Sequence, residues 1–422
     1  MHVPTLMGVG VKTTFMKKLT AEKWNNWSNA VTKIIFYALA FYCFFPPTGV
    51  QFAIPRIFRI GYIVVIWVDF VAIVWKEKRI EKIFIPMVCY SVVLTLSTLI
   101  NQADLQYAVW SQGLLVITLF ILFKVGIHED EKLFLKVFYY YCIAVLIADV
   151  ITREIWKYPF MGYPRVDSTV LCNVDFVVCF CIPPLFTGIY LLEKFDHRKW
   201  ETILYILVVI FCLLLELGMR CMGDFVTILV WTVLLLLART KTARKLLNEK
   251  TAIAVPAGVG ILTQCYNPET WTFIHPILNL MGKDATLSNR TPVWAEARRI
   301  IQEHIVLGTG DLTDYVSYFV ETHHSHTHNI FMNALLKAGI IGFVFFAAML
   351  VEIAIAISKI TEGKLKYIAA AFLFCVLFNT QFDTYYAYYY YGFAGLLYFT
   401  SLSNLQEDDL KKRMLAVKEI CV

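Results

Sequence analysis

The sequence predicts an all-α protein, a polytopic membrane bundle of about twelve transmembrane helices with one long loop. Of its 422 residues, 59% are hydrophobic and only 17% are charged. Soluble domains are roughly 45–50% apolar and about 25% charged. A helical crossing of the bilayer needs roughly 20 apolar residues, and apolar runs of about this length recur along most of the chain.

The predicted spans are twelve apolar runs separated by polar or charged residues. They fall at residues 30–50, 54–75, 82–100, 106–124, 132–152, 168–192, 202–219, 223–239, 251–265, 328–358, 365–384 and 385–402. The ninth run is short and the last two form a tight hairpin, so ten or eleven crossings also fit. We find no internal repeat, which argues against an inverted-repeat transporter.

The distribution of Lys and Arg predicts the orientation, because cytoplasmic loops carry the excess of these residues. With the N-terminus in the cytoplasm, the cytoplasmic segments hold 27 of them and the external segments hold 10; Lys337, near a helix start, is counted with neither. Both termini are therefore predicted to be cytoplasmic. The 62-residue loop 266–327 is then external and lies between the ninth and tenth helices.

This topology divides the chain into five predicted segments. The polar, basic segment 1–29 has no small-residue cleavage site and is expected to be cytoplasmic rather than a signal peptide. Helices one to nine fill 30–265, the external loop follows, helices ten to twelve fill 328–402, and 403–422 is a cytoplasmic tail. The net charge of +6 needs no nucleic-acid partner to explain it.

The long loop contains a predicted amphipathic helix. Thr291 and Pro292 have the pattern of an N-cap followed by proline at the first helical position. Apolar residues then recur at helical spacing: Trp294, Ala297, Ile301 and Ile305, with Val293 and Ile300 beside them. Such a helix either lies on the membrane or over the bundle, or serves only as a structural cap.

Two arginines on the predicted external side are candidates for anion binding. Arg220 lies between the seventh and eighth runs, where a charge usually faces the bundle interior or a water-filled cavity. The alternative is an arginine that closes a tight turn by pairing with Asp224 or Glu216. Arg290 stands directly before the amphipathic helix and could bind phosphate bidentately, or could be an ordinary solvated loop residue.

Four histidines within six residues lead into the tenth run, and the last of them, His328, is the first residue of that run. Their alternating spacing matches no zinc signature, and no carboxylate cluster is close in sequence, so we predict no metal site. Of the 11 cysteines many lie inside apolar runs, and no CxxC pair occurs. A single histidine at a membrane-facing cleft can instead act as a general base near neutral pH.

The order of four short motifs in and after the loop resembles the O-antigen ligase and polymerase superfamily. The motifs read Arg290-Thr-Pro-Val-Trp294, His304-Ile-Val-Leu-Gly308-Thr-Gly310, His328-Asn329-Ile-Phe-Met and Ala338-Gly339-Ile-Ile-Gly342. They cover about an eighth of the chain. Each motif alone is weak, and their order and spacing inside a long external loop make the resemblance fairly specific.

Other positions depart from the family pattern. The family tends to have Ser-Arg-Gly after the seventh helix, whereas Met219 and Cys221 flank Arg220 here. Arg165 could match an arginine that precedes the sixth helix in the family. The family has Asn-Pro-Asn after that arginine, whereas the corresponding stretch of this chain, residues 171–175 with Asn173, contains no proline. Family members often carry an acidic residue near the position of Lys337.

The resemblance implies a GT-C-like glycosyltransferase of the bacterial cytoplasmic membrane with an external active site. Its donor would be an oligosaccharide on undecaprenyl diphosphate and its acceptor a glycan. It would need no metal and no cofactor, and a chain-length regulator or flippase would be a candidate partner. By this resemblance His328 is the general base, Arg220, Arg290 and Arg165 bind the diphosphate, and Trp294 and Asn329 support the site.

The resemblance leaves the reaction open between two enzymes. A polymerase joins two similar lipid-linked repeat units of an O-antigen or capsule, whereas a ligase moves finished glycan to a different lipid or wall acceptor. A transporter or flippase of lipid-linked oligosaccharide is an alternative of another class. Single intramembrane carboxylates would form its proton relay: Asp69, Asp149, Asp175, Glu352 and Asp383.

Overall fold

A computed structural model describes residues 28–47, 49, 54–156, 176–219, 221–265, 275–276, 290–311, 327–361, 363–382 and 387–420. These residues are mainly helical and contain no strand, which confirms the all-α class for the described part of the chain. The longer helices are α1 (Ser28–Phe44), α2 (Arg56–Glu77), α3 (Phe84–Ile100), α4 (Leu115–Val150), α5 (Val178–Lys194), α6 (Lys199–Met219), α7 (Met222–Leu237), α8 (Thr251–Cys265), α9 (Arg290–Glu303), α10 (Ile330–Ser358), α11 (Gly363–Asn379) and α12 (Ala387–Ile420).

Four of the described helices are long and apolar enough to cross a membrane. They are α2, α6, α10 and the continuous stretch Leu105–Arg153, which contains α4. Shorter apolar helices, among them α1, α3, α7 and α8, accompany them. The membrane class of the fold is therefore confirmed, whereas the count of twelve crossings and the place of the long loop remain predictions.

The fourth and fifth predicted spans meet inside α4. The helix has 36 residues, and its backbone leaves helical geometry at Asp130, with φ −159° and ψ 83°. The Asp130 carboxylate accepts a hydrogen bond from the Leu133 amide at 3.1 Å, as an N-cap does. An unbroken helix of this length would be about 54 Å long. The break divides the continuous stretch Leu105–Arg153 into residues 105–129 and 131–153, each long enough to span a membrane.

Aromatic side chains fill the centre of the bundle where α1, α4, α5 and α12 meet. The Phe41 and Phe138 rings have centroids 4.5 Å apart, and Phe45 contacts Tyr389 edge to face at 4.9 Å. Lipid tails are as apolar as the side chains, so helix association in a bilayer depends on such close packing.

A break in α10 receives part of the long loop. Gly339 has φ +59° and ψ −166°, which interrupts the helical hydrogen bonds around it. Backbone groups of residues 305–310 replace them: the Thr309 amide donates to the Leu336 carbonyl at 2.8 Å, and the Ile340 amide donates to the Ile305 carbonyl at 2.8 Å. We call this contact between residues 305–310 and α10 the clasp.

Glycine is required at two positions of the clasp by close backbone approach. A Cβ on Gly339 would lie 2.3 Å from the Val306 carbonyl oxygen, and a Cβ on Gly308 would lie 2.5 Å from the Lys337 carbonyl carbon. Both glycines also have positive φ, which other residues rarely adopt. Two of the four family-like motifs therefore fold onto each other and fix the loop against α10.

Candidate functional site

His328 occupies a constrained turn directly before α10. Its φ is +49° and its exposed fraction is only 6%. The next residue, Asn329, caps the helix, since its side-chain oxygen accepts hydrogen bonds from the amides of Phe331 and Met332, both at 3.0 Å. Positive φ in a residue other than glycine is uncommon and recurs at functional sites, where the surrounding structure enforces it.

The end of α11 holds this turn from one side. The Asn329 side-chain amide donates to the Gln381 carbonyl at 3.2 Å and to its side-chain oxygen at 3.0 Å. The Ile330 amide donates to the Thr380 carbonyl at 3.0 Å. Asn329 and Gln381 are fully buried, so these bonds lie in a region of low dielectric, where they constrain the position of His328 strongly.

Helix α9 holds the turn from the other side. The indole N–H of the fully buried Trp294 donates to the Thr327 carbonyl at 2.8 Å, next to His328. The Thr327 hydroxyl lies 3.2 Å from the Asn333 side-chain oxygen, one turn into α10. Apolar contacts complete the interface: Val293, Ala297 and Ile300 pack with Met332 and Leu336.

Arg290 is the first residue of α9 and is half-buried. It precedes Trp294 by four residues, and residues four apart share one face of a helix. The helix thus starts one residue before the predicted N-cap, Thr291. The structure brings Trp294 beside the turn of His328 and Asn329 at the start of α10, and it places Arg290 one turn before Trp294 on the same helix.

The predicted apolar row of α9 differs from the buried face. The buried residues are Val293, Trp294, Ala297 and Ile300. Ile301 is only partly buried against them, and Ile305 lies beyond the helix end at Glu303 with 53% of its surface exposed. Ile305 serves the clasp through its carbonyl instead.

Arg220 and Arg165 lie outside the described residues, as do His323, His324 and His326. Described neighbours of Arg220 form a compact polar group: one ligand-type atom each of Glu216, Cys221 and Asp224 lies within 4.8 Å of the others. Both carboxylates are buried. Burial of a carboxylate is costly unless the group is hydrogen-bonded, paired with a cation or protonated. In the sequence, Arg220 stands between these two carboxylates.

Hydrogen bonds connect this group to the last residue of α11, and the residues that follow it hold the His328 turn. The Asn379 side-chain amide donates to the Asp224 carboxylate at 2.8 Å and to the Thr227 hydroxyl at 2.9 Å. Asn379 ends α11 two residues before Gln381, which holds the cap of α10. Sequence reasoning missed Asn379 and Gln381, although three consecutive polar residues, 379–381, stand in an apolar run and signal a polar role.

Comparison with known families agrees with the motif resemblance. Residues 197–347 match the family described as O-antigen ligase (Wzy_C), whereas no curated protein matches the chain. The matched stretch begins at the connection before α6 and ends within α10, so it contains Arg220, Arg290 and His328 but not Arg165. Residues 197–347 thus match an O-antigen ligase domain model, and the predicted resemblance to the O-antigen ligase and polymerase superfamily is confirmed over that stretch.

Proposed function

We propose that the protein is a surface-polysaccharide polymerase of O-antigen or capsule in the bacterial cytoplasmic membrane. It transfers a glycan from undecaprenyl diphosphate to a sugar hydroxyl of another lipid-linked repeat unit on the external face. The family match supports an activity of the O-antigen ligase or polymerase type. The observation that carries the proposal is the constrained, mostly buried His328, held beside the helix that Arg290 begins.

The proposed reaction is a single displacement with inversion. The acceptor hydroxyl oxygen attacks the anomeric carbon, its proton passes to His328, and the bond from that carbon to the diphosphate oxygen breaks. The diphosphate leaves with the bonding electrons, so negative charge builds on it. Arg220 and Arg290, with Arg165 as a third arginine, stabilise that charge without a metal.

Deletion of the gene tests the polymerase against the ligase. Loss of a polymerase leaves single repeat units on the surface, because each unit still reaches its acceptor. Loss of a ligase leaves long lipid-linked chains that never reach the acceptor. Accumulation of long lipid-linked chains would replace our proposal by a ligase. If single repeat units remain on the surface instead, a chain-length regulator or flippase becomes a partner to test for.

Transport is tested by purified protein in detergent, where no compartments exist. A polymerase lengthens lipid-linked oligosaccharide under these conditions, and the products are measured by gel electrophoresis or mass spectrometry. A transporter or flippase leaves chain length unchanged. Failure to lengthen a lipid-linked repeat unit of the native structure would contradict the proposed function.

Arg290→Lys is expected to lower the transfer rate by about 10- to 100-fold, because lysine cannot make the bidentate contact and hydrogen bonds to charged groups are worth roughly 1.5–3 kcal/mol. The measurement is initial rate with purified enzyme and lipid-linked donor. Arg299→Lys is the matched control: Arg299 is exposed on the same helix and pairs with Glu296 and Glu303. Equal rates in the two variants would remove Arg290 from the diphosphate site.

EDTA is expected to leave the transfer rate unchanged, because the proposed charge stabilisation uses arginines. The measurement compares initial rates in purified enzyme before and after chelation, with and without added Mg²⁺ or Zn²⁺. Strong inhibition that a metal reverses would contradict metal independence. The histidines that end at His328, or Glu216 with Asp224, would then become the candidate ligands.

A further inference from the structure

An apolar patch lies on the outside of the clasp. Ile305 and Val306, the second and third residues after α9, are 53% and 55% exposed. The patch continues into the exposed apolar residues of α10 that directly follow its break: Ile340, Ile341 and Val344. Contiguous apolar surface of this kind marks a place where a protein or a membrane is bound.

Hydrogen bonds fix the patch at the depth of the break in α10. The Ile340 amide donates to the Ile305 carbonyl at 2.8 Å, and the Ile341 amide donates to the Val306 carbonyl at 3.4 Å. Since an α-helix rises about 1.5 Å per residue, Ile340 lies about 15 Å along α10 from its first residue, Ile330. The long loop therefore dips alongside α10 to this depth instead of staying at the end of the helix.

The part of α10 that follows the break is long enough to cross the hydrocarbon by itself. As a helix, residues 340–358 would extend about 28 Å, close to the roughly 30 Å of the hydrocarbon core. Glu352 is their only charged residue, whereas the part before the break contains Asn333 and Lys337. The hydrocarbon therefore begins near Ile340, which is the depth of the patch.

Exposed side chains along the loop change from polar to apolar at the same depth. The last four exposed residues of α9 are all polar or charged: Arg298, Arg299, Gln302 and Glu303. The next exposed residues of the chain are Ile305 and Val306. Because charged side chains avoid the hydrocarbon, this change is expected where a chain passes from water into lipid.

Helix α3, which packs beside the clasp, shows the same change. Leu99 and Ile100 at its end are exposed, and the next exposed residue is Gln102. The Asn101 side-chain amide donates to the Gly308 carbonyl at 3.1 Å, so this end of α3 is held against the clasp. Neighbouring elements thus share one boundary between polar and apolar exposed residues.

Hydrogen bonds also pair backbone groups of this non-helical segment. Lipid offers no hydrogen-bond partners, so irregular backbone at such a depth must be satisfied by protein. Besides the two carbonyls bonded to α10, the His304 carbonyl accepts a hydrogen bond from the Gly308 amide at 2.8 Å. The Gly310 amide donates to the Lys337 carbonyl at 2.9 Å. The segment can therefore carry apolar side chains into lipid while these backbone groups stay paired.

From these observations we propose that residues 304–310 form a shallow re-entrant turn, which inserts Ile305 and Val306 among the phospholipid acyl chains of the leaflet where α10 begins. Continuity of the patch with the exposed apolar faces of α3 and α10 favours lipid over a second copy of the chain. The turn anchors the end of α9 in the membrane. Part of the loop 266–327, predicted to be external, then contacts the hydrocarbon. The insertion does not depend on the proposed reaction.

The first test needs no substitution. Full-length wild-type protein is reconstituted in phosphatidylcholine liposomes whose lipid carries a diazirine in the first half of one acyl chain. Light releases nitrogen from the diazirine, and the carbene inserts into a neighbouring C–H bond. Mass spectrometry of peptides is expected to find the label at Ile305 and Val306 and at Ile340 and Ile341, but not at Glu303. Labelling of the α10 residues without Ile305 or Val306 would overturn the proposal.

The second test measures access of water in unlabelled liposomes. Val306→Cys and Glu303→Cys each place a thiol at an exposed position, and peptide mass spectrometry distinguishes these thiols from the native cysteines. A charged maleimide, present on both sides of the membrane, reacts with the thiolate, which does not form in hydrocarbon. We expect labelling of Glu303→Cys and loss of labelling in Val306→Cys until the protein is unfolded in detergent.

Two results of these experiments would contradict the inserted turn. Equal maleimide labelling of Val306→Cys and Glu303→Cys in liposomes would place the patch in water. Absence of both the acyl-chain label and the maleimide label from residues 305 and 306 would mean that protein covers the patch, as a second copy of the chain would. Gel-filtration profiles equal to that of wild type serve as the control of folding for both variants.

Discussion

His328→Ala is expected to abolish glycan transfer while the protein remains at its normal level in the membrane. A sugar hydroxyl is a poor nucleophile until its proton is removed, and general-base help is typically worth about 10²–10⁴-fold. The Asn329 cap, the Gln381 contact and the Trp294 hydrogen bond to Thr327 would still hold the turn. The measurement is the rate of chain lengthening with purified variant and lipid-linked repeat units.

The positive φ of His328 makes a matched variant necessary. Alanine disfavours this conformation, so a loss of activity in His328→Ala could arise from a shifted backbone. Asparagine tolerates left-handed geometry but is not a base. His328→Asn is therefore expected to be as inactive as His328→Ala, and His304→Ala, at the far end of α9, to stay active. Full activity in His328→Asn would remove His328 as the base.

The class of the fold follows from the sequence because the bilayer imposes simple rules on composition and length. Apolar runs and charged gaps predicted a membrane helix bundle, and α2, α6 and α10 confirm helices long and apolar enough to cross. The break at Gly339 was not predicted. The carbonyl and amide groups of the helix on either side of the break form hydrogen bonds with residues 305–310. Hydropathy contains no information about such a distant backbone partner.

The candidate site could be predicted only where its residues are close in sequence. Arg290, Trp294, His328 and Asn329 stand within one loop and the helix start after it, so motif order was sufficient to single them out. Asn379 and Gln381 contact residues 155 and 52 positions away. Which helix ends meet depends on three-dimensional packing, and periodicity alone does not determine it.

Lys337 illustrates the same limit. In sequence it departs from the acidic residue that family members often carry near this position. In the structure its ammonium group lies 2.7 Å from the carboxylate of Asp311, which is 26 residues earlier and nearly fully buried. The pair adds a side-chain contact to the clasp, and the Asp311 amide donates to the Thr98 hydroxyl of α3 at 2.9 Å.

Lys337→Ala is expected to destabilise the protein by about 3–5 kcal/mol, because it takes from the buried Asp311 carboxylate the ammonium group 2.7 Å away, and breaking a buried ion pair by removing one partner is strongly destabilising. The free energy of unfolding in detergent, followed by thermal or denaturant titration, measures this effect. Asp311→Asn is expected to lower stability less, since it leaves the less buried partner charged. Lys364→Ala, which breaks a more exposed pair with Glu193, is the control and is expected to change stability by no more than about 1 kcal/mol.

The double variant Asp311→Asn with Lys337→Met decides whether the ion pair itself is responsible. It replaces the charges by neutral groups, and such replacements are often neutral or stabilising relative to a broken pair. The double variant is therefore expected to be more stable than Lys337→Ala, with a favourable coupling energy between the two sites. Strictly additive losses would show that Lys337 acts through packing alone. Recovery of both stability and transfer in the double variant would indicate that the backbone hydrogen bonds of the clasp are enough to support the His328 turn. The ion pair would then be only one of several contacts that hold the clasp in place.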